Sequence, residues 1–159
     1  MDEKTAERFM LAALAEGRRA LPACLPNPPV GCVLVRGDND DSDGDATIVA
    51  SGFTQPPGQP HAEAGALLKL PHEQPLDDVT AFVTLEPCAF HGRTPSCAKT
   101  LIARGVRRVY VAMLDPDPRN DGKGVALLRE AGVEVTVGVC EALARHDLAP
   151  HLALKENRP

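Results

Sequence analysis

The first segment of the chain carries apolar residues three and four positions apart, which is the spacing of one helix face. These residues are Ala6, Phe9, Met10, Ala13 and Leu14. Asp2 precedes the run and can cap the helix, because its side chain can accept a hydrogen bond from the first turn. Gly17 lies near the predicted end. The pattern therefore predicts an amphipathic N-terminal helix.

Further along, short apolar runs alternate with helical patterns. The runs predict five strands: Val30–Val35, Thr47–Phe53, Val79–Leu85, Arg108–Met113 and Val133–Val137. The other segments predict helices: His61–Lys69, one that starts at Thr94-Pro95 and runs to about Arg104, Gly124–Ala131, and a short last helix, Glu141–Asp147. The acidic residues 37–46 predict a hairpin loop, which makes the first two strands antiparallel. Strands and helices then alternate, which favours parallel strands. We expect an α/β fold with a five-stranded mixed sheet between helices.

Composition narrows the class of protein. The chain has 159 residues, which predicts a single domain over residues 1–159. Its formal net charge of -5 disfavours nucleic-acid binding, which normally needs a basic face. The N-terminus lacks the apolar run of a signal peptide, and no segment predicts a membrane span, so we expect a cytoplasmic protein. In that compartment the five cysteines indicate metal binding or catalysis before disulfides.

Two segments at predicted strand-to-helix junctions carry metal-ligand residue types. His61 opens the second helix, Cys88 follows the third strand, and Cys97 falls in the first turn of the next helix. One imidazole and two thiolates suit zinc. Three protein ligands leave a fourth position for water, which is typical of a catalytic site. We therefore expect these three residues to bind Zn²⁺.

Glu63 follows His61 by two residues, and in a first turn this spacing can aim one side chain at the metal and the other beside it. A glutamate there can take a proton from zinc-bound water and pass it to a departing nitrogen. H-x-E followed by P-C-x-x-C is a signature of zinc deaminases, although here Ala89–Ser96 separate the two cysteines. The other cysteines and histidines are predicted to be core or surface residues: Cys24, Cys32, Cys140, His72, His146 and His151.

Longer strings of the chain resemble the deaminase domain of the bacterial riboflavin-biosynthesis enzyme that pairs a pyrimidine deaminase with a reductase. They extend over roughly residues 5 to 148: Pro26–Val33, Pro60–Glu63, Thr84–Cys88, His91–Cys97, Leu101–Val106, Asp115–Pro118 and Gly122–Gly124. The insert with Gly92-Arg93-Thr94-Pro95 between the two cysteines is specific to this family. Cytidine deaminases and tRNA adenosine deaminases have the short form instead.

The resemblance implies a three-layer α/β/α cytidine-deaminase-like fold and a homodimer or larger homo-oligomer. It implies that the substrate is 2,5-diamino-6-ribosylamino-4(3H)-pyrimidinone 5′-phosphate, or its ribityl form, and that the 2-amino group leaves as ammonia. Residues on the substrate side by position are Asn27, Thr54, His91, Arg93, Asp115 and Asp117. Their types fit, because an amide can bind a ring edge, a guanidinium can pair with phosphate, and carboxylates can accept from amines or hydroxyls.

Three departures from the family pattern lie on the substrate side. At the position of Thr54, two residues after Gly52, the family usually has a histidine. At the position of Phe90 the family usually has a second histidine, whereas here the histidine is the next residue, His91. At the position of Asp117 the family usually has an asparagine. None of these residues belongs to the metal set, so the reaction class is better supported than the substrate.

Three alternatives stay open. The departures point to a deaminase of another small amino-heterocycle, such as a guanine-like or antibiotic-pathway compound. A nucleic-acid base deaminase is disfavoured by the acidic charge and the long insert. A non-catalytic zinc or ligand-binding protein is disfavoured by Glu63, which a structural metal site does not need. No dinucleotide-binding G-x-G-x-x-G motif follows any predicted strand, so we expect no reductase domain. We then expect either that reduction takes place elsewhere or that the chain is a specialised relative.

Overall fold

The structure of the protein, a computed structural model, describes residues 2–37, 46–89 and 96–156. The elements in these ranges are α1 (Glu3–Arg18), β1 (Gly31–Arg36), β2 (Thr47–Phe53), α2 (Ala62–Leu68), β3 (Val79–Val83), α3 (Cys97–Ala103), β4 (Arg108–Val111), α4 (Lys123–Glu130), β5 (Glu134–Val137) and α5 (Glu141–Glu156). The predicted loop at 37–46 lies mainly outside them. Among the described helices, none has the length and apolar character needed to cross a bilayer.

The strands form one five-stranded sheet in the order β2-β1-β3-β4-β5. The β1 strand is antiparallel to both β2 and β3. The β3, β4 and β5 strands are parallel, because α3 and α4 carry the chain back between them. The predicted mixed sheet is therefore confirmed, and so is the predicted change from antiparallel to parallel pairing at the third strand.

Helices cover both faces of the sheet. On one face α2, α3 and α4 lie side by side, and on the other α1 and α5 contact each other. Every residue of the central β3 strand is buried, since neighbouring strands and both helix layers surround it. On the α1 face, the Phe82 ring stacks on Tyr110 at 4.7 Å and contacts Phe9 at 5.5 Å between ring centroids. The three-layer α/β/α architecture is confirmed.

The start of α1 follows the sequence prediction. The Asp2 side chain accepts a 2.8 Å hydrogen bond from the N–H of Thr5, and the predicted apolar face is buried. The start of α3 does not, because the cap is Ser96 and not Thr94. The Ser96 hydroxyl donates to the carbonyl of Cys88 at 2.7 Å and accepts from the N–H of Lys99 at 3.3 Å. This tertiary partner is the physical reason why the helix begins at Cys97.

The last helix is longer than predicted. The sequence predicts a short helix, Glu141–Asp147, and a proline in the middle of a helical pattern normally ends the helix. The structure continues α5 through Pro150 to Glu156. Ala144, Leu148 and Leu152 are spaced four residues apart and all are buried. Pro150 and His146 are exposed, so water can bond the His146 carbonyl that Pro150 leaves without its helical partner.

The seat of α2 on the sheet requires a glycine in β2. A Cβ atom added to Gly52 would lie 2.3 Å from the carbonyl oxygen of Ala62 and 2.7 Å from the backbone nitrogen of Ala66. Both atoms belong to the α2 backbone, which cannot move aside as a flexible side chain does. The close approach fixes the first turn of α2, and therefore the position of His61 just before it.

We expect Gly52→Ala to lower the free energy of unfolding by about 2 kcal/mol, because the methyl group would push α2 off the strand. Urea unfolding followed by circular dichroism measures this change. Gly65→Ala is the matched control, since an added Cβ at Gly65 meets nothing within 4 Å. Alanine is also the better helix former, so the control should be neutral or gain up to about 1 kcal/mol. Equal stabilities of the two variants would contradict the close approach.

Candidate metal and catalytic site

Three candidate ligand atoms from separate segments converge beyond the ends of β2 and β3. The Nδ1 atom of His61 lies 3.9 Å from the sulfur of Cys88 and 3.4 Å from the sulfur of Cys97. All three atoms lie within 4.8 Å of one another. Tetrahedral zinc with ordinary bond lengths holds nitrogen and sulfur ligands about 3.5 Å apart, so this donor set fits the ion in chemistry and in spacing.

Helix starts position two of these ligands. His61 is the N-cap residue of α2, with extended backbone angles, and its side chain makes no capping hydrogen bond. Its carbonyl instead accepts from the N–H of Gly65 at 2.8 Å, which continues the helical pattern. Cys97 is the first residue of α3. The backbone conformation at each helix start therefore fixes the direction of the ligand side chain.

The first turn of α3 also holds Cys88. The N–H of Cys97 donates to the Cys88 sulfur at 3.2 Å. The Cys88 carbonyl accepts from the Ser96 hydroxyl at 2.7 Å and from the N–H of Ala98 at 3.1 Å. The Cys88 loop is thus bound to the helix that carries the other cysteine, and the two sulfur ligands form one unit.

The hydrogen bonds set the protonation of the two thiols in opposite directions. The side-chain hydrogen bond from Cys97, helped by His61, lowers the pKa of Cys88 to about 4, although burial opposes this. The same hydrogen bond to Cys88, together with burial and the nearby Glu63 charge, raises the pKa of Cys97 well above its usual range. These contacts therefore favour the thiolate form of Cys88 and the protonated form of Cys97 in the metal-free site. A bound cation has to displace the proton of Cys97.

Glu63 lies in the first turn of α2 and is only 4% exposed. Burial, reinforced by the negative charge of Cys88, raises the pKa of Glu63 to about 7, against the opposing effect of His61. A carboxyl group with a pKa near the operating pH can accept a proton in one step and release it in another. The predicted side-by-side arrangement of His61 and Glu63 provides such a group beside the candidate metal ligands.

The sequence interpretation assigned no role to Glu86, which the structure makes a central contact. Its side chain is 3% exposed and accepts three backbone hydrogen bonds. One carboxylate oxygen accepts from Asp115 at 3.1 Å and from Gly122 at 3.0 Å, and the other accepts from Val125 at 2.9 Å. Glu86 therefore caps α4 and joins it to the segment that leads into Cys88. A charge directly after an apolar strand was the signal available in the sequence.

Asn120 was also missed. It is fully buried, and its side-chain oxygen accepts from the N–H of Ala89 at 2.9 Å. Its side-chain nitrogen donates to the carbonyl of Pro87 and to the carboxylate of Asp115, both at 3.3 Å. The polar surroundings of Asn120 in the sequence look like a solvated turn, so no local signal separates it from a surface residue.

The residues predicted on the substrate side fall into three groups. Asn27 is half-buried in the connection between α1 and β1, and its backbone N–H donates to the carbonyl of Cys24 at 2.9 Å. Thr54 is buried after β2, and its hydroxyl oxygen accepts from the N–H of Val30 at 3.0 Å, which ties the same connection to the sheet. His91 and Arg93 lie outside the described residues. Contact of any of these with a substrate stays a prediction.

Asp115 and Asp117 are buried in the turn between β4 and α4. One carboxylate oxygen of Asp115 accepts from the N–H of Asp117 at 3.0 Å. The carboxylate of Asp117 forms an ion pair with Arg119, with 2.6 Å between Oδ2 and Nη2. The departure from asparagine at position 117 thus comes with a cationic partner two residues later. Contact of either aspartate with a substrate also stays a prediction.

The other cysteines are free thiols. Cys32 is fully buried in β1, as predicted for a core residue, and burial raises its pKa well above the usual range. Cys24 is buried after α1 and Cys140 is partly buried before α5. None of the three belongs to the group of candidate ligands.

Comparison with known proteins agrees with a zinc site at these residues. The family model described as the cytidine and deoxycytidylate deaminase zinc-binding region matches residues 3–113. The chain belongs to this family of zinc-dependent hydrolytic deaminases. The predicted zinc cofactor and the predicted class of hydrolytic deaminases are therefore confirmed.

Within the family, the chain is similar to riboflavin biosynthesis proteins. It is 42% identical over 139 residues to RibD of Aquifex aeolicus, and the aligned region covers 87% of this chain and 36% of that protein. The structure of Acinetobacter baumannii RibD superposes with a TM-score of 0.85 at 40% identity, covering 99% of this chain and 42% of the other.

A third relative carries both activities in its name. The Thermotoga maritima diaminohydroxyphosphoribosylaminopyrimidine deaminase/5-amino-6-(5-phosphoribosylamino)uracil reductase superposes with a TM-score of 0.83 at 35% identity, covering 99% of this chain and 43% of the other. This chain spans about a third to two fifths of the length of these relatives. The activity, substrates and partners of these relatives are therefore assigned to this chain only as proposals.

Removal of any one of the three ligand side chains should weaken zinc binding strongly. We expect the purified protein to hold about one zinc per chain, and His61→Ala, Cys88→Ser and Cys97→Ser to lose most of it. Elemental analysis after dialysis measures the content. Cys140→Ser is the control and should keep the metal, because Cys140 lies outside the ligand group. Full zinc content in all three ligand variants would contradict the assignment.

Zinc affinity should rise with pH. Because the pKa of Cys97 is raised in the metal-free protein, this thiol is protonated near neutrality and releases its proton when zinc binds. One proton released by Cys97 corresponds to a gain in affinity of about tenfold per pH unit between about pH 7 and 8, and below this range Glu63 adds to the slope because zinc favours its ionised form. Competition with a chromophoric chelator at several pH values measures the slope. A flat profile would show that Cys97 is not the proton donor.

Proposed function

We propose that this chain removes the 2-amino group of the phosphorylated diaminopyrimidine of riboflavin biosynthesis, in its ribosyl or ribityl form, and releases ammonia. The observation that carries the proposal is a buried carboxylate, Glu63, beside an imidazole and two thiols in zinc-binding geometry. The similarity to riboflavin deaminases over nearly the whole chain supports this choice of ring.

His61, Cys88 and Cys97 would hold the zinc ion, which lowers the pKa of a water molecule toward neutrality and so makes it a nucleophile. The remaining proton transfers belong to Glu63. It accepts one proton from the water and delivers it to the ring nitrogen next to the amino-bearing carbon. It then accepts the second proton and delivers it to the departing amine. The net change is one water consumed, one C–NH₂ converted to C=O, and one ammonia released.

The raised pKa of Glu63 suits this double role. A carboxyl group with an ordinary pKa would hold a proton too weakly to accept it from water at neutral pH. Burial supplies the shift, because it disfavours the charged form. Glu63 would be held in its ionised form by the positive charge of a zinc ion on the neighbouring ligands, and it would therefore start the cycle ready to accept a proton.

Recognition of the substrate belongs to the residues outside the metal set. Arg93 is proposed to pair with the phosphate, and Asn27 to hold the ring edge, as the residue types allow. Asp115, Asp117, Thr54 and His91 complete the proposed substrate side. A homodimer or larger homo-oligomer is proposed on the family resemblance.

Glu63→Gln should keep zinc but release ammonia about 10²–10⁴-fold more slowly, because an amide cannot carry the proton. A coupled ammonia assay with the riboflavin-pathway aminopyrimidine measures the rate, and Glu130→Gln, on the exposed face of α4, is the control. Robust turnover by Glu63→Gln would refute its role. A panel with cytidine, deoxycytidylate, guanine and other aminopyrimidines tests the substrate. A clear preference for one of these would overturn the assigned ring and leave the reaction class standing.

A further inference from the structure

The side chain of Asn120 bonds to both peptide groups that flank the metal ligand Cys88. The carbonyl of Pro87 belongs to the peptide group before Cys88, and the N–H of Ala89 belongs to the one after it. Asn120 donates to the first at 3.3 Å and accepts from the second at 2.9 Å. Each peptide group is planar, so the orientations of these two planes determine the φ and ψ angles of Cys88. Those angles in turn set the direction of its Cα–Cβ bond.

All contacts of the amide agree on its orientation. The Ala89 N–H needs an acceptor, and the carbonyls of Pro87 and Glu86 and the Asp115 carboxylate need a donor. If the amide were turned over, nitrogen would face a donor and oxygen would face three acceptors. The arrangement therefore holds in one orientation only, and a fully buried amide in this position is satisfied on both ends.

Other contacts of Cys88 act at different points. The first turn of α3 binds the Cys88 sulfur and carbonyl. The Pro87 carbonyl lies against Gly124, where an added Cβ would approach it to 1.8 Å. Among the described contacts, Asn120 is the side chain that hydrogen-bonds the peptide groups on both sides of Cys88. The Asp115 carboxylate accepts a 3.3 Å hydrogen bond from the Asn120 nitrogen and so helps to hold the amide in this orientation.

We propose that Asn120 is a positioning residue for the metal centre, which fixes the backbone of Cys88 so that its sulfur meets the cation. The inference rests on Cys88 being a zinc ligand, as in the proposed function, and does not depend on the substrate. Loss of the amide leaves the ligand set complete but lets the Cys88 loop relax. The zinc ion should then dissociate faster, and the geometry at the metal should change.

The test compares Asn120→Leu with the unmodified protein. Leucine has a similar volume and no hydrogen-bonding group, so it removes all four hydrogen bonds of the Asn120 side chain without leaving a large cavity. Zinc release into a chromophoric chelator should be about 10–100-fold faster, the range found when groups that orient metal ligands are removed. In the cobalt-substituted protein, the visible d–d bands should shift while the thiolate charge-transfer bands persist, because both sulfurs still bind.

Two further variants keep the test decisive. Asn120→Ser is less disruptive and should release zinc at an intermediate rate, so it serves if the leucine variant does not fold. Phe9→Leu weakens packing against Phe82 on the opposite face of the sheet. It controls for general loss of stability and should release zinc within about twofold of the parent rate.

Parent-like zinc release and an unchanged cobalt spectrum in the Asn120 variants would overturn the proposal. Equal acceleration in Phe9→Leu would overturn it as well, because the effect would then be one of stability alone. Both readouts are made without substrate. A failure of the assigned deaminase substrate would leave their outcome unaffected, so the two ideas fail separately.

Discussion

The hydrogen bonds between the first turn of α3 and Cys88 are the interactions on which the site depends. The N–H of Cys97 donates to the Cys88 sulfur, and the Ser96 hydroxyl and the Ala98 N–H donate to the Cys88 carbonyl. The same bonds stabilise a thiolate in a buried place, where an unpaired charge would be costly. The lengthened spacing between the two cysteines is compatible with zinc because the ligands are fixed by these contacts.

Burial is the second determinant of the site, because it raises the pKa of Glu63. Glu63 is buried in the first turn of α2, two residues after the candidate ligand His61, and its pKa rises to about 7 mainly because the charged form is poorly solvated there. Gly52 allows the close approach of α2 that places the carboxylate at this depth. The glycine in β2 and the proton carrier in α2 are therefore parts of one arrangement.

The sequence predicted those features that follow from local pattern or from the chemistry of a ligand set. Alternating apolar segments predicted the strands, and an imidazole with two thiols predicted zinc. Features held by distant partners were missed. Ser96 caps α3 because it reaches Cys88, α5 passes through Pro150 because its other face packs on the core, and Glu86 and Asn120 act through backbone groups far along the chain. No pattern within a short window of sequence contains such partners.

Zinc-edge X-ray absorption of the purified, metal-loaded protein tests the central claim most directly, because it counts ligands at the ion itself. The account predicts two sulfur ligands at about 2.3 Å and two lighter ligands at about 2.0 Å, one of them the imidazole and the other from solvent. A shell of three or four sulfurs, or one without sulfur, would contradict it, since the ion would then be closed by another residue or bound elsewhere.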